Sequence, residues 1–351
     1  MRAPEFWWKR AGLRARLLSP VATVYGRMAV ARMVEAPTAH APVPVLCVGN
    51  LVVGGGGKTP TVEALASEAR ASAGLSPVVL SRGYGGRLEG PVLVDPQRHS
   101  AADVGDEPLM LAAAGVTVVV ARDRAAGAAL AVEHGATIVI MDDGFQNPSL
   151  YKDLSLLVVD RERGIGNGLC LPAGPLRAPV ESQLERADFL VLTGRGGAAD
   201  AVVRSAGGHG VPVIGARLTA VSDGSTLAGQ RVLAFAGIAN PDKFFASLVE
   251  AGAEVVERRR FADHHAYSDA DCAAIRAACA SAALLPVTTA KDRARLAGST
   301  ERDRLAARCH VHEVRLVADE PGAFARVIEQ ACARAAARLE GRGGGRTVDR
   351  R

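Results

Sequence analysis

Gly54-Gly55-Gly56-Gly57-Lys58-Thr59 follows an apolar run at residues 43–48 and precedes Val62, Leu65, Ala66 and Ala69, which recur at helical spacing. Strand, glycine loop, helix is the context that makes a glycine-rich string a phosphate site. Glycines let backbone N–H groups converge on an anion, and the helix N-terminus adds partial positive charge. In such a loop Lys58 reaches the terminal phosphates and the Thr59 hydroxyl holds Mg²⁺. The alternative is a flexible hinge, which has no reason to end in Lys-Thr at the mouth of a helix. Strict spacing asks for glycine at position 52, where this chain has Val52. The nucleotide loop is expected to comprise Val52, Val53, Gly54, Gly55, Gly56, Gly57, Lys58 and Thr59.

Outward from the loop, apolar runs recur at residues 77–80, 116–121, 137–141, 154–159, 189–193 and 213–218, most separated by alanine-rich helical stretches such as 101–114 and 124–134. Continuous apolar strands alternating with helices indicate a parallel sheet covered on both faces. A turn at Ser222-Asp223-Gly224-Ser225 precedes a second start at residues 231–235. Helix 242–250, strand 254–258, helix 269–283, strand 286–289 and helix 322–339 follow. The expected fold is α/β: a phosphate-loop NTPase-like parallel sheet sandwiched by helices, with a second, smaller α/β domain. The expected division is 1–36, an N-terminal segment; 37–220, the phosphate-loop domain; 221–339, the smaller domain; and 340–351, a disordered tail.

The chain has 351 residues, enough for two domains, and 48% apolar against 23% charged residues marks it as globular. Aromatics at 4% argue against a base-stacking nucleic-acid surface. A net charge of +5 points to an anionic partner without naming it. Six scattered cysteines, with no C-x-x-C pair, give neither a zinc site nor a disulfide framework and suit a reducing compartment. No apolar run approaches the ~18 residues that span a bilayer, and no secretion signal is read.

Residues 1–33 carry seven basic side chains against one acid, Glu5, with Phe6 and both tryptophans, Trp7 and Trp8. Basic residues mixed with Trp, Leu and Val in a helix-compatible stretch suit a membrane interface. The alternative is a helix packed on the domain, with Trp7, Trp8 and Leu17 as core. Pro20 is expected to break or kink it.

Residues 138–144 form an apolar strand ending in Asp142-Asp143-Gly144, which also reads as a simple Asp-Gly turn. Beside a glycine loop, carboxylates at a strand end instead suit Mg²⁺, a hard cation that prefers oxygen ligands. Gly105-Asp106-Glu107-Pro108 supplies a second acidic cluster, in which Asp106 fits a helix N-cap as well as chemistry. In Asp263-His264-His265, adjacent histidines point apart, so one histidine acting on a carboxylate or phosphate is more credible than a metal pair.

Taken in order, these strings resemble the tetraacyldisaccharide 4'-kinase family, the lipid A 4'-kinases. The resemblance rests on Val48-Gly49-Asn50 through Pro60, Ser81-Arg82-Gly83-Tyr84-Gly85-Gly86 and Gly105-Asp106-Glu107-Pro108. It continues in Asp142-Asp143-Gly144-Phe145-Gln146, in Asn167-Gly168 and in Leu171-Pro172-Ala173-Gly174-Pro175-Leu176-Arg177. Ala236-Gly237-Ile238-Ala239-Asn240-Pro241 with Phe244-Phe245, Phe261-Ala262-Asp263-His264-His265 and Thr288-Thr289-Ala290-Lys291-Asp292 complete it. The chain departs from the family's usual residues at Val52, Gly56 and Ala290. The resemblance implies an ATP- and Mg²⁺-dependent kinase that phosphorylates the 4'-hydroxyl of a lipid-linked glucosamine disaccharide, the lipid A precursor. It implies peripheral attachment at the cytoplasmic face of the inner membrane and no nucleic-acid partner. It assigns Lys58 to the β/γ-phosphates, Thr59 with Asp142 and Asp143 to the metal, Asp106 as general base and His264 as its assistant.

The competing class is a phosphate-loop GTPase or ATPase switch acting as a binding module. A guanine reader shows Asn-Lys-x-Asp or Thr-Lys-x-Asp, and Thr289-Ala290-Lys291-Asp292 has one residue too many between Thr and Lys.

Overall fold

The computed structural model describes residues 3–54, 57–221, 227–238, 240–296 and 298–343. After a 3₁₀ turn at Glu5–Trp8, the chain runs α1 (Leu13–Met33), β1 (Val45–Asn50), α2 (Lys58–Ala73), β2 (Pro77–Ser81), β3 (Val92–Leu93), α3 (Ala101–Val104) and α4 (Asp106–Ala113). Next come β4 (Thr117–Val120), α5 (Arg124–Glu133), β5 (Ile138–Asp142), β6 (Leu154–Asp160), α6 (Val180–Leu184), β7 (Phe189–Thr193), α7 (Asp200–Gly208) and β8 (Val213–Ala220). The second half holds β9 (Arg231–Ala236), α8 (Pro241–Glu250), β10 (Glu254–Arg260), α9 (Asp269–Ala282), β11 (Leu285–Thr288) and α10 (Ala290–Ala294). It closes with α11 (Thr300–Arg308), β12 (His310–Val311), β13 (Val314–Ala318) and α12 (Ala323–Gly343).

The large sheet has the order β13-β8-β7-β6-β1-β5-β2-β4-β3, and only its outermost pairs, β13–β8 and β3–β4, are antiparallel. β1 is buried along its whole length because both faces are covered. Leu46 and Val48 pack with Val62, Leu65 and Ala66 of α2 and Val327 and Ile328 of α12. Val45 and Cys47 turn the other way, into a core shared with Ala128 of α5, Leu184 of α6 and Val202 of α7. The second sheet, β10-β9-β11-β12, is wholly parallel, with Phe244 and Phe245 of α8 on one face and Cys272 and Ile275 of α9 on the other.

The expected second domain, residues 221–339, departs from this pairing. β13 returns to the large sheet and closes its β8 edge, and α12 buries Phe324, Val327 and Ile328 in the large core. A free edge strand and an apolar helix face are both satisfied there. The expected turn at residues 222–225 lies outside the described residues. So does the tail from residue 344, while residues 340–343 finish α12. One expected helix, 101–114, is two, divided at Gly105, whose φ of 90° is open to glycine.

Pro20 neither breaks nor ends α1, which runs through it. Proline removes the N–H that would bond the carbonyl four residues back, and the Ser19 hydroxyl donates to that Arg16 carbonyl instead, at 2.7 Å. Ala15, Ala22 and Gly26 are the face of α1 turned to the protein. Trp7 Nε1 donates to the Pro172 carbonyl at 3.0 Å, and the Arg163 guanidinium lies 5.5 Å from the Trp8 ring, so both indoles rest on the large domain. Leu17, by contrast, is 71% exposed and is not core. No helix among the described residues is long and apolar enough to cross a membrane.

Candidate active site

The carboxyl ends of β1 and β5 lie side by side, with Val48 in register with Asp142. This is where an open α/β sheet binds ligands. Gly54 and Gly57 have φ of 99° and 89°, and Gly57 caps the N-terminus of α2. A Cβ on Gly57 would lie 2.9 Å from Thr193 Oγ1, so the loop needs glycine there for space as well as conformation. Lys58 and Thr59 open α2 and are buried. Gly55 and Gly56 lie outside the described residues.

Val52 and Val53 enter this loop as a short ribbon. Val52 bridges Leu176 in antiparallel fashion, and Val53 N–H donates to the Pro175 carbonyl at 2.9 Å. Val52 is not among the residues of positive φ, which accounts for a β-branched residue where strict spacing asks for glycine. The same ribbon delivers Arg177. Its Nη2 donates to Asp143 Oδ2 at 2.9 Å, its Nη1 lies 2.8 Å from Asp143 Oδ1, and its Nε donates to the Val52 carbonyl at 3.2 Å.

The two strand-end carboxylates have opposite surroundings. Asp143 sits at φ 57°, a conformation aspartate adopts more readily than most residues, with Lys58 Nζ 3.5 Å from its Oδ1. Burial disfavours its charge, but Lys58 and Arg177 outweigh burial and hold it below the usual carboxylate range. Asp142 is buried, and its Oδ1 has no hydrogen-bond partner. Burial pushes its carboxyl up to about 7, with Glu107 adding to the rise and Lys58 opposing it. An orphaned hard oxygen beside the phosphate loop, with the Thr59 hydroxyl at the start of α2, fits a divalent cation. Among the described residues no group of three or more His, Cys, Asp or Glu side chains could hold a metal ion by itself. A cation here would therefore share its coordination with phosphate oxygens and water.

Opposite stands Asp106, the first residue of α4. It is not the N-cap, a position Gly105 fills, and its side chain turns to the second unit. His264, at φ 57°, places Nδ1 2.9 Å from Asp106 Oδ2, and Arg295 Nε donates to the same oxygen at 3.0 Å. Burial opposes ionisation of Asp106, yet the His264 bond and the Arg295 charge hold it well below the usual range. The same bond raises His264 above its ordinary value, against partial burial. Glu107 pairs with Lys291, and Lys243 pairs with Asp160 Oδ2 at 2.7 Å and Glu162 Oε2 at 2.9 Å, so ion pairs besides those of Asp106 join the units. His265 turns away, stacking on Phe261 at 4.8 Å and facing Asp271 at 3.1 Å.

Four charged residues here carried no role in the sequence reading. Arg177, Glu107 and Lys291 lie in the motifs that carry the family resemblance, but local sequence gives them no role. Arg295, three residues after Asp292, had no local signal at all.

A strand–glycine loop–helix unit on a parallel sheet, with acids at the adjacent strand end, defines a phosphate-loop NTPase. Within that class the chain belongs to the tetraacyldisaccharide 4'-kinase family, whose sequence model, "Tetraacyldisaccharide-1-P 4'-kinase", matches residues 14–333. It is similar to the tetraacyldisaccharide 4'-kinase of Rhodopseudomonas palustris, 55% identical over 86% of this chain and 88% of that protein. It is likewise 54% identical to that of Nitrobacter hamburgensis, over 86% and 89% of the two chains. Among solved structures it is similar to LpxK of Aquifex aeolicus, crystallised in complex with ATP. The TM-score is 0.69 and the identity 26%, covering 93% of this chain and 99% of that one.

Proposed function

We propose that this protein transfers the γ-phosphoryl group of ATP to the 4'-hydroxyl of a tetraacyl glucosamine disaccharide 1-phosphate, a step of lipid A biosynthesis. The family membership supports the substrate class. The observation that carries the site reading is Asp106, clasped by His264 opposite Lys58 and the Asp142-Asp143 strand end. Phosphoryl transfer needs positioning and charge neutralisation more than covalent chemistry. Lys58 holds the β/γ-phosphates, with the loop from Val52 to Thr59 beneath them. Thr59 and Asp142 would hold Mg²⁺, with Asp143 aligned by Lys58 and Arg177; the ion would neutralise phosphate charge. Asp106 takes the proton of the acceptor hydroxyl as its oxygen bonds the γ-phosphorus. The bond from that phosphorus to the β–γ bridging oxygen breaks, and ADP leaves. His264 donates Nδ1–H to Asp106 Oδ2 and stabilises the carboxylate, and the acceptor's proton ends on Asp106.

The acceptor carries acyl chains, so the enzyme meets it at a bilayer. Leu13, Leu17, Val21, Val24 and Met28 of α1 are exposed, and on a helix they fall within about 80° of one another. Exposed Arg14 and Arg32 flank that stripe on one side, Arg16 and Arg27 on the other. Their stems reach up to phosphates while the stripe enters the acyl boundary. This supports peripheral attachment to a bilayer surface, proposed as the cytoplasmic face of the inner membrane from the family resemblance, through α1 itself more than through Trp7 and Trp8. To test the function, purified enzyme is supplied with ATP, Mg²⁺ and the disaccharide, and the product is analysed by phosphorus and proton NMR. The expected product carries a new phosphate on O4'; a phosphate elsewhere, or none, overturns the reading.

A further inference from the structure

The two oxygens of Asp106 are unequally used. Oδ2 receives His264 Nδ1 at 2.9 Å, Arg295 Nε at 3.0 Å and Arg295 Nη2. Among the described residues Oδ1 receives only the backbone N–H of Glu107, at 3.1 Å. An arginine that merely neutralises a buried carboxylate favours the parallel fork, one N–H to each oxygen. Here two guanidinium N–H groups converge on one oxygen and spare the other.

Arg295 is itself fixed. Its side chain is 6% exposed, and Nη1 donates to Asp292 Oδ1 at 2.9 Å and to the Gly237 carbonyl at 2.8 Å. Asp292 is fully buried and takes the Tyr267 hydroxyl at 2.9 Å, the Thr289 hydroxyl at 2.8 Å and Gly237 N–H at 3.0 Å. The guanidinium is thus held by the ends of β9 and β11, and its orientation is set before any ligand arrives. A lysine ammonium offers no fixed fork and could not meet Asp106, Asp292 and Gly237 in this geometry.

We propose that Arg295 is a positioning residue for the general base: with His264 it fills Oδ2 of Asp106 and so leaves Oδ1 to take the acceptor's hydroxyl proton. This rests on the assignment of Asp106 as base. It also makes the base competent only when the second unit is docked, because Arg295 and His264 both belong to that unit.

The test is a four-cornered cycle of wild type, Asp106→Ala, Arg295→Gln and the double variant, with kcat, the KM for ATP and a thermal melt for each. Misplacing a reacting group by about 1 Å costs up to about 10²-fold. Arg295→Gln is therefore expected to lower kcat by about 10- to 100-fold with the KM for ATP unchanged. In the Asp106→Ala background the same change is expected to cost less than about twofold, since residues acting as one unit are not additive. Equal losses in both backgrounds, or a normal kcat in folded Arg295→Gln, overturn the proposal. If Arg295→Gln does not fold, Arg295→Lys keeps the buried cation. It is expected to lose several-fold in kcat at constant KM for ATP, and a wild-type kcat there overturns the proposal. Should Asp106→Ala itself keep near-normal kcat, the base assignment fails first. An inactive Asp106→Ala beside a normal Arg295→Gln rejects Arg295 alone.

Discussion

The two walls of the site are built in different ways. The phosphate wall lies wholly on the large sheet: the loop after β1, the acids after β5, and Arg177 delivered by the ribbon beside Val52. The acceptor wall is shared, with Asp106 and Glu107 on the large domain and His264, Lys291 and Arg295 on the second. Under the proposed roles, nucleotide binding can be completed by one unit, whereas transfer requires both. Variants of the two walls should fail in different ways.

The largest effect is expected on the shared wall. Asp106→Ala is expected to lower kcat by about 10²–10⁴, the range for loss of a general base, while ATP affinity stays near normal. Loss chiefly of ATP affinity, read by calorimetric titration, would place Asp106 on the wrong wall. On the phosphate wall, Lys58→Ala removes one preorganised contact to the transferring phosphoryl group and should cost about 10²–10³ in rate. Unlike Asp106→Ala, it should also weaken ATP binding, and near-normal turnover of the purified variant contradicts the placement of the nucleotide. Asp142→Ala removes the orphaned oxygen and should raise the Mg²⁺ concentration needed for half-maximal rate. An unchanged Mg²⁺ curve excludes Asp142 as a ligand.

The same contrast explains what the sequence could disclose. The core of the phosphate wall is local: β1, the glycine loop and α2 are consecutive, and periodicity reads such units directly. Asp142 and Asp143 were legible as a strand end, though not the opposite pull on their charges, which depends on burial and Glu107 for Asp142 and on Lys58 and Arg177 for Asp143. On the acceptor wall, Asp106 reads equally well as a helix cap. Only the tertiary fold brings His264 to it across a separation of 158 residues. Arg295 sits on a short helix turn with no motif of its own, and its partners come from three separate segments. β13 escaped for a related reason: its burial alternates unevenly, and its place is set by the β8 edge it covers.

Smaller effects test the edges of the comparison. Leu17→Asp with Met28→Asp charges the exposed stripe of α1 and should weaken sedimentation with anionic vesicles, leaving the melting temperature and ATP binding unchanged. Full binding by the double variant would remove α1 as the membrane contact. The smallest effect concerns the tie between units. His264 has a raised pKa in the folded state, so its bond to Asp106 adds stability in full below its ordinary value of about 6.5, and that contribution is lost as pH rises through the raised value. The melting difference between wild type and His264→Asn should accordingly shrink as pH rises. A difference that grows with pH contradicts the charged pair.

Whether transfer needs an acceptor set against the shared wall, with nucleotide bound by one unit, can be read with γ-labelled ATP. Wild-type enzyme is incubated with Mg²⁺ and the ATP, with and without the tetraacyl disaccharide 1-phosphate, and free phosphate and labelled lipid are counted together. Label is expected on the lipid at a rate set by acceptor, with almost no phosphate released in its absence. Release of phosphate at the same rate without acceptor would contradict it and return the protein to the class of nucleotide switches.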